Sequence, residues 1–300
     1  MKPLLAVDYD ETKLRFPLIA QPKIDGVRAL YSIEYGFTSR TLKPFGNRHT
    51  MSFFSHPAFS GFDGEMTFGS ITSPSLCRDT TSVINRHNGE PFLVWNIFDY
   101  IMEDTPYIER YTYAITLIND IKLQYPELAP HLAIVPMKTI NSLEELNEYD
   151  AENLAAGYEG TILRDPSGKY KYGRSTTKEA YLLRIKRFVQ EDAIVLSLVE
   201  AMENTNEAVI NELGRSSRSS HQENMVPKGM IGSLICLDKK TNQQITVGPG
   251  ELSHEERTYY WLNQSELVGK TISYKYFAHG MKDLPRFPTF SYIRPDNDIV

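Results

Sequence analysis

The sequence predicts an α+β protein in two parts. Antiparallel sheets and helices occupy residues 1–188, and a small β-barrel occupies residues 189–300. Two observations carry this. Before residue 188, short strand-like runs bounded by glycine turns are interleaved with two helical stretches. After Phe188 the texture changes to several short strands within about one hundred residues, which suits a small barrel.

The elements follow in order. Residues 18–20 read as a strand entering a turn that contains Lys23. Residues 27–33 and 35–41 read as a hairpin bending near Gly36. Residues 91–100 read as a buried strand ending in Phe98-Asp99. A helix is expected over 107–125, where Ile108, Tyr111, Ile115, Ile118 and Ile121 share one side. Residues 133–137 form a short strand. Ser142-Leu143-Glu144-Glu145 has the S-x-x-E form of a capping box, so a helix starts there and stops near Gly157. A strand over 157–165, beginning with a carboxylate between two glycines, and another over 181–188 follow, separated by a basic loop over 169–178. In the second part, strands are expected at 192–199, 231–237, 244–247 and 271–277. The polar tract 203–228 reads as a mobile loop.

Composition narrows the classes. Of 300 residues, 41% are hydrophobic and 23% charged, as in ordinary globular proteins. A net charge of −6 argues against a generally basic nucleic-acid coat, yet leaves room for a local basic groove. Two cysteines, Cys77 and Cys236, make no disulfide framework, so a reducing, intracellular, cytoplasmic setting is expected. No apolar run approaches the ~18 residues a membrane span needs, and the first twenty residues lack a signal-peptide core. No membrane partner is expected.

The stretch Gln21-Pro22-Lys23-Ile24-Asp25-Gly26-Val27-Arg28 compresses a lysine, a carboxylate, a glycine and an arginine into one turn. An amine attacks only through its free lone pair, which desolvation or a nearby cation promotes. Gly26 permits close approach of backbone to ligand. Asp25 suits a ribose hydroxyl or a cation, and Arg28 suits a phosphate held by two prongs. An ordinary Asp-Gly surface turn is the plainer reading of these residues alone.

Partners further along change the balance. Ser39-Arg40 and Lys43 place cations near the lysine turn, although a solvated hairpin end is the better reading of them alone. Glu65, in Phe62-Asp63-Gly64-Glu65, offers a carboxylate for a sugar hydroxyl or Mg²⁺. Phe98 offers a face for a base, or simply packs. Glu159 sits between Gly157 and Gly160, and a strand gains little from such glycines unless a ligand comes close. Arg184 and Lys186 fall on one face of an otherwise apolar strand, as a polyphosphate site would need. Lys282, Arg286 and Arg294 are interleaved with prolines and aromatics at the end of the chain.

The ordered series Lys23-Ile24-Asp25-Gly26-Val27-Arg28, Ser39-Arg40, Phe62-Asp63-Gly64-Glu65, Phe98-Asp99, Tyr158-Glu159-Gly160 and Leu182-Leu183-Arg184-Ile185-Lys186-Arg187 resembles the covalent nucleotidyltransferase superfamily. With Arg286-Phe287-Pro288 and Ile293-Arg294-Pro295-Asp296, the layout looks most like short, bacteriophage-type ATP-dependent DNA ligases. The resemblance implies a nucleotidyltransferase (ATP-grasp-like ligase adenylation) domain followed by an OB-fold barrel. It implies that Lys23 takes AMP from ATP, passes it to the 5′-phosphate of a nick in double-stranded DNA, and that the 3′-hydroxyl then seals the strand. Gln21 and Ile24 would line the adenine site, Phe98 would stack on the base and Glu65 would bind the ribose. Arg28 and Arg40 would hold phosphate, and Arg184 and Lys186 the α-phosphate. Arg294 and Asp296 would orient pyrophosphate. Glu159, with Glu65 and Asp25, would hold Mg²⁺ or Mn²⁺. Arg28, Arg40, Lys43, Arg174, Arg215, Arg218 and Lys228 would meet DNA, and a monomer is expected.

Two positions depart from the pattern. Gln21 stands where many relatives carry Glu, and Arg184-Ile185-Lys186 replaces the usual K-x-K, which changes hydrogen-bond geometry while keeping charge. Competing readings are an RNA ligase, an mRNA capping guanylyltransferase, and a non-catalytic nucleic-acid-binding protein on an OB scaffold.

Overall fold

A computed structural model of the chain describes residues 3–210, 216–219 and 222–295. The chain divides into two compact units, Met1–Lys186 and Arg187–Val300.

The first unit carries two five-stranded sheets. A strand pair to one side joins β1 (Leu4–Leu5) to a later short strand, and β2 (Val7–Asp8) enters the first sheet. β3 (Leu18–Lys23) runs through that sheet's interior, then the turn at Ile24–Gly26 hands the chain to the second sheet through β4 (Val27–Ser32) and β5 (Gly36–Ser39). Next come helix α1 (Arg48–Phe54), β6 (Phe62–Thr67), α2 (Leu76–Asn85), β7 (Val94–Tyr100), α3 (Tyr107–Gln124) and β8 (Leu132–Ile134). β9 (Lys138–Ile140), α4 (Leu143–Ala155), β10 (Gly160–Arg164), β11 (Gly173–Arg174) and β12 (Leu183–Lys186) complete the unit. The first sheet has the order β2-β12-β10-β3-β9 and the second β5-β4-β6-β7-β8. Pairing is antiparallel inside both; β2–β12 and β7–β8, at the edges, are parallel, as is β1–β11.

Strand alternation explains why each sheet has a dry face and a polar one. On the second sheet, Ala29, Phe62, Met66, Trp95 and Ile97 turn inward onto Phe37, Phe54, Phe59 and α3. Trp95 anchors this core, with the rings of Phe37, Phe54, Phe59 and Phe62 within 5.2–6.0 Å. The opposite face carries Arg28, Asp63 and Glu65. On the first sheet, Leu18, Ala20, Leu163, Leu183 and Ile185 pack under α4. The expected cap at Ser142 is present, but Glu145 bonds back to the Asn141 N–H instead of closing a box on Ser142. The helix ends before Gly157, whose φ of 92° suits a left-handed cap.

The second unit is built on β13 (Val189–Asn204), a small hairpin of β14 (Ala208–Ile210) and β15 (Ser216–Arg218), β16 (Met225–Asp238), β17 (Gln244–Val247), α5 (His254–Leu262), β18 (Thr271–Phe277) and β19 (Arg286–Ile293). Five strands form one antiparallel sheet in the order β17-β16-β13-β18-β19. Its two edges meet through one bridge, where Gly248 and Pro288–Phe290 exchange two backbone hydrogen bonds of 2.9 Å. The OB-type sheet therefore curls until its edges touch, without a full closing ladder.

Two expectations need correction. The described parts of 203–228 are not a loop: β13 continues to Asn204, β16 starts at Met225, and a hairpin lies between. Arg215 lies outside the described residues, as does Asp296. Helix α5 was not expected, although Ser253 and Glu256 form a complete capping box before it. No helix among the described residues is long and apolar enough to cross a membrane.

Gly160 is where the first sheet tolerates no side chain. Its φ is 150°, and a Cβ there would meet the Ile185 carbonyl oxygen at 2.5 Å. Gly160→Ala should cost about 1–3 kcal/mol of stability, read as a lower urea midpoint with an unchanged m-value.

Candidate active site

Pairing register assembles the site. Gly160 in β10 is flanked by Lys23 of β3 on one side and Lys186 of β12 on the other. One rung on, Ile162 is flanked by Gln21 and Arg184. Residues paired across strands share a face, so all four polar side chains start from the same surface. The glycine carries no side chain between the two amines. Glu159, immediately before it, bridges them: its backbone N–H donates to the Lys23 carbonyl at 3.0 Å, and its two carboxylate oxygens accept from the amines of Lys23 and Lys186.

The two glutamates of the site are driven in opposite directions. Burial opposes ionisation of Glu159, but the ammonium groups of Lys23 and Lys186 outweigh it and hold the carboxyl down to about 2. The Glu65 carboxylate, opposite Arg28 in the β4–β6 ladder, makes no hydrogen bond or ion pair among the described residues, while its backbone carbonyl accepts from Asn96 Nδ2 at 3.1 Å. Burial pushes it up to about 8, against the pull of Lys23 and Arg28 and with help from Glu159 and Asp25. Asp25 occupies the partly buried turn after Lys23.

An apolar pocket wall lies beside the lysine. Ile24, Leu76 and Val135 are buried together, with Ile71, Phe98 and Tyr158 against them. Gln21 is buried behind Lys23 on the same strand face. Its Nε2 donates to the Val135 carbonyl at 3.2 Å, an oxygen that also accepts from Tyr111 at 2.7 Å. The Gln21 Oε1 is buried and has no partner. This arrangement leaves an acceptor beside an apolar slot, which matches an amino group on a planar ring.

Several of the expected phosphate-binding cations face acids or carbonyls of the chain itself. Arg28 grips Asp63 with two prongs, at 2.9 and 2.6 Å, and gives its third group to the Leu4 carbonyl at 2.7 Å. Tyr170 donates to the same carboxylate at 2.7 Å. Arg184 grips Asp8 at 2.6 and 3.3 Å, leaving Lys186 as the cation nearest Lys23 and Glu159. Arg40 and Lys43 are exposed. Arg174 is exposed and donates to the Ala6 carbonyl at 2.7 Å. In the second unit, Arg294 pairs with Asp192 at 3.0 Å, Arg218 donates to the Asn206 carbonyl, and Lys228 is exposed on β16.

Sequence reasoning missed the supports. Asp99 accepts from both Arg110 and Arg164 at 2.8 Å, all three fully buried. Arg28 and Arg164 lie 5.3 and 5.5 Å from the Phe98 ring centroid, so cations brace that ring. Arg164 closes the Gly157–Arg164 stretch, and a charge at the end of an apolar strand was the available signal. Arg110 lay hidden inside the apolar stripe of α3. Among the described residues, no group of three or more metal-ligating side chains is assembled.

The opposed shifts make a testable pH signature. An unfolded Glu65 ionises near 4.5 while the folded group holds its proton to about 8. The native state thus binds more protons across that window, and stability falls as pH rises through it. Glu65→Gln should match the parent at pH 4 and exceed it in stability at pH 8, measured by urea unfolding at each pH.

The chain resembles known proteins over its full length. Residues 224–294 match the profile of the DNA ligase OB-like domain. Two crystal structures of Chlorella virus DNA ligase-adenylate are similar to it. One is 30% identical, with 98% of each chain covered and a TM-score of 0.52. The other is 28% identical, covering 98% of this chain and 99% of that one, with a TM-score of 0.53. The ATP-dependent DNA ligase of bacteriophage T7, in complex with ATP, shares the fold at 14% identity, 98% coverage of both chains and a TM-score of 0.51. No curated protein sequence matches. The motif order, the rung of two lysines about Gly160 and the Chlorella virus relative agree: the chain belongs to the DNA ligase family.

Proposed function

We propose that this ligase uses ATP to seal 5′-phosphate/3′-hydroxyl nicks in duplex DNA, acting as an AMP-forming polydeoxyribonucleotide ligase with Lys23 as nucleophile. The observation that carries it is the rung Lys23–Gly160–Lys186 closed by Glu159, set beside an apolar slot that ends in a free acceptor on Gln21.

In this reading the base enters between Ile24, Val135 and Phe98, and Gln21 Oε1 accepts from the adenine amino group. Glu65, kept largely protonated at neutral pH, donates to or accepts from the ribose hydroxyls. Lys186 neutralises the α-phosphate. Arg184 spends its fork on Asp8, so its role is to hold the edge of the sheet, and Lys186 bears the phosphate alone.

The Lys23 ammonium loses a proton to solvent, the neutral Nζ attacks the α-phosphorus, and the bond to pyrophosphate breaks with its electron pair leaving on the pyrophosphate oxygen. The phosphoramidate then transfers AMP to the 5′-phosphate of the nick. The 3′-hydroxyl displaces AMP and forms the phosphodiester. Such transfers depend on positioning and charge neutralisation more than on covalent work by the protein.

A divalent ion fits the donor set. Mg²⁺ binds through one or two carboxylates plus phosphates, and Glu159 is a fully ionised carboxylate beside the phosphate position. Glu159, with Asp25 as the second candidate, would hold it, and it would neutralise phosphate charge. Arg40 and Lys43 meet the DNA from the first unit. Arg218 and Lys228, with Arg215, meet it from the second. The enzyme acts as a monomer.

The test is transfer of α-labelled nucleotide to the protein with Mg²⁺, followed by denaturing electrophoresis. ATP should give an acid-labile adduct that nicked DNA discharges into sealed product. Lys23→Ala should abolish it, and Glu159→Ala should lower it by at least tenfold. Label from GTP alone, or an undiminished adduct on Lys23→Ala, would overturn the reading.

A further inference from the structure

The ligase reading gives Arg40 and Lys43 to DNA and leaves two further exposed cations of the first unit, Arg48 and Arg86, unexplained. All four are exposed, and none is paired with a carboxylate among the described residues. Elsewhere in this unit Lys13, Lys23, Arg28, Arg110, Lys169, Lys171, Arg184 and Lys186 face acids.

They come from two segments that the sequence keeps nearly free of acids. Residues 35–62 contain no Asp or Glu in a chain that has 38. Residues 80–90 contain one, the exposed Glu90.

A buried amide joins the segments. Asn47 is 0% exposed. Its Oδ1 accepts from Thr50 N and Oγ1 at 2.7 and 2.8 Å, which starts α1. Its Nδ2 donates to the carbonyls of Arg86 and Gly89 at 2.8 and 3.1 Å. The Asn47 N–H donates to Ile84 O at 3.0 Å and the Arg48 N–H to His87 O at 3.3 Å. Every valence of the side chain is used, so the amide has one orientation. Gly46 allows the approach, since a Cβ there would meet the Asn85 carbonyl at 2.6 Å. The result sets Arg48 against His87 and Arg86, while the turn Ser39–Lys43, closed by a 2.9 Å bond and pinned by buried Leu42, carries Arg40 and Lys43.

We propose that this Asn47-clamped ridge is a docking surface for the phosphate backbone of duplex DNA flanking the nick, with Arg48 and Arg86 as its phosphate contacts and Asn47 as the residue that positions them. Charge complementarity selects the occupant: unpaired guanidiniums with no acids between them suit a regular row of phosphates. Nothing on the ridge reads sequence, in keeping with a ligase that must act on any nick. The inference rests on DNA being the substrate.

The experiment is the affinity of the full-length enzyme for a nicked duplex ending in a 3′-dideoxynucleotide, by fluorescence anisotropy across 50–300 mM salt. Arg48→Gln/Arg86→Gln should weaken binding at every salt and lower the slope of log Kd against log salt by about 2, one per lost phosphate contact. Charge reversal to Glu at both positions should weaken it further. Lysyl-AMP formation without DNA should match the parent in both variants, which controls for folding. Asn47→Ala, with both arginines present, should reproduce part of the loss. An unchanged slope and affinity in variants that adenylate normally would overturn the proposal. A parent enzyme that binds no nicked duplex would instead overturn the ligase reading.

Discussion

The site depends on one carboxylate held between two amines. Glu159 is buried, and a buried charge is stable only when paired and hydrogen-bonded. Lys23 and Lys186 supply both, one to each oxygen. Neither lysine is near Glu159 in the chain; they reach it because β3 and β12 flank β10 at Gly160. Removing Glu159 would leave two amines without their acid, the kind of loss that costs about 3–5 kcal/mol in a protein interior, whereas removing one lysine leaves the acid paired with the other.

Around that pair, the interior is unusually rich in ordered charge. Asp63 binds Arg28 and Tyr170, and Asp99 binds Arg110 and Arg164. Asp63 lies one residue inside the start of β6 and Asp99 one inside the end of β7, and Arg28 and Arg164 brace the ring of Phe98. The consequence is rigidity where a base would stack. Glu65 shows the converse: one strand position from Gly64 and two from Asp63, it has no cation of its own and stays largely protonated to about pH 8. Identical side chains thus serve as an acid and as an anion because one gained partners and the other did not.

Much of the site was legible in advance. Lys23, Gly26, Glu65, Glu159 and Lys186 were singled out from glycine placement and from charge on apolar strands, and the structure brings Lys23, Glu159 and Lys186 into contact. Arg184 was less legible. Alternation places it beside Lys186, but its partner Asp8 lies 176 positions away and arrives through a two-residue parallel strand too short to announce itself. Helix α5 was overlooked despite its Ser253/Glu256 box, because short strands on both sides dominated the pattern. The tract 203–228 looked like loop because polar residues alternate there without an apolar face; β13 and β16 extend into it by pairing with each other, which needs no core.

The sequence by itself determined the kind of chemistry: a lysine in a glycine turn, carboxylates at strand ends, paired cations on one strand face, and two structural halves. These are local facts, set by residue type, turn preference and strand period. Only the tertiary structure decided which carboxylate is ionised, which arginine is spent on an aspartate, and which oxygen of Gln21 is left free. Those outcomes depend on strand register and on desolvation, and both are settled by residues far apart in the chain. Lys23 and Glu159 are separated by 136 positions, and it is the hydrogen-bond ladder of β3 and β10 that makes them neighbours.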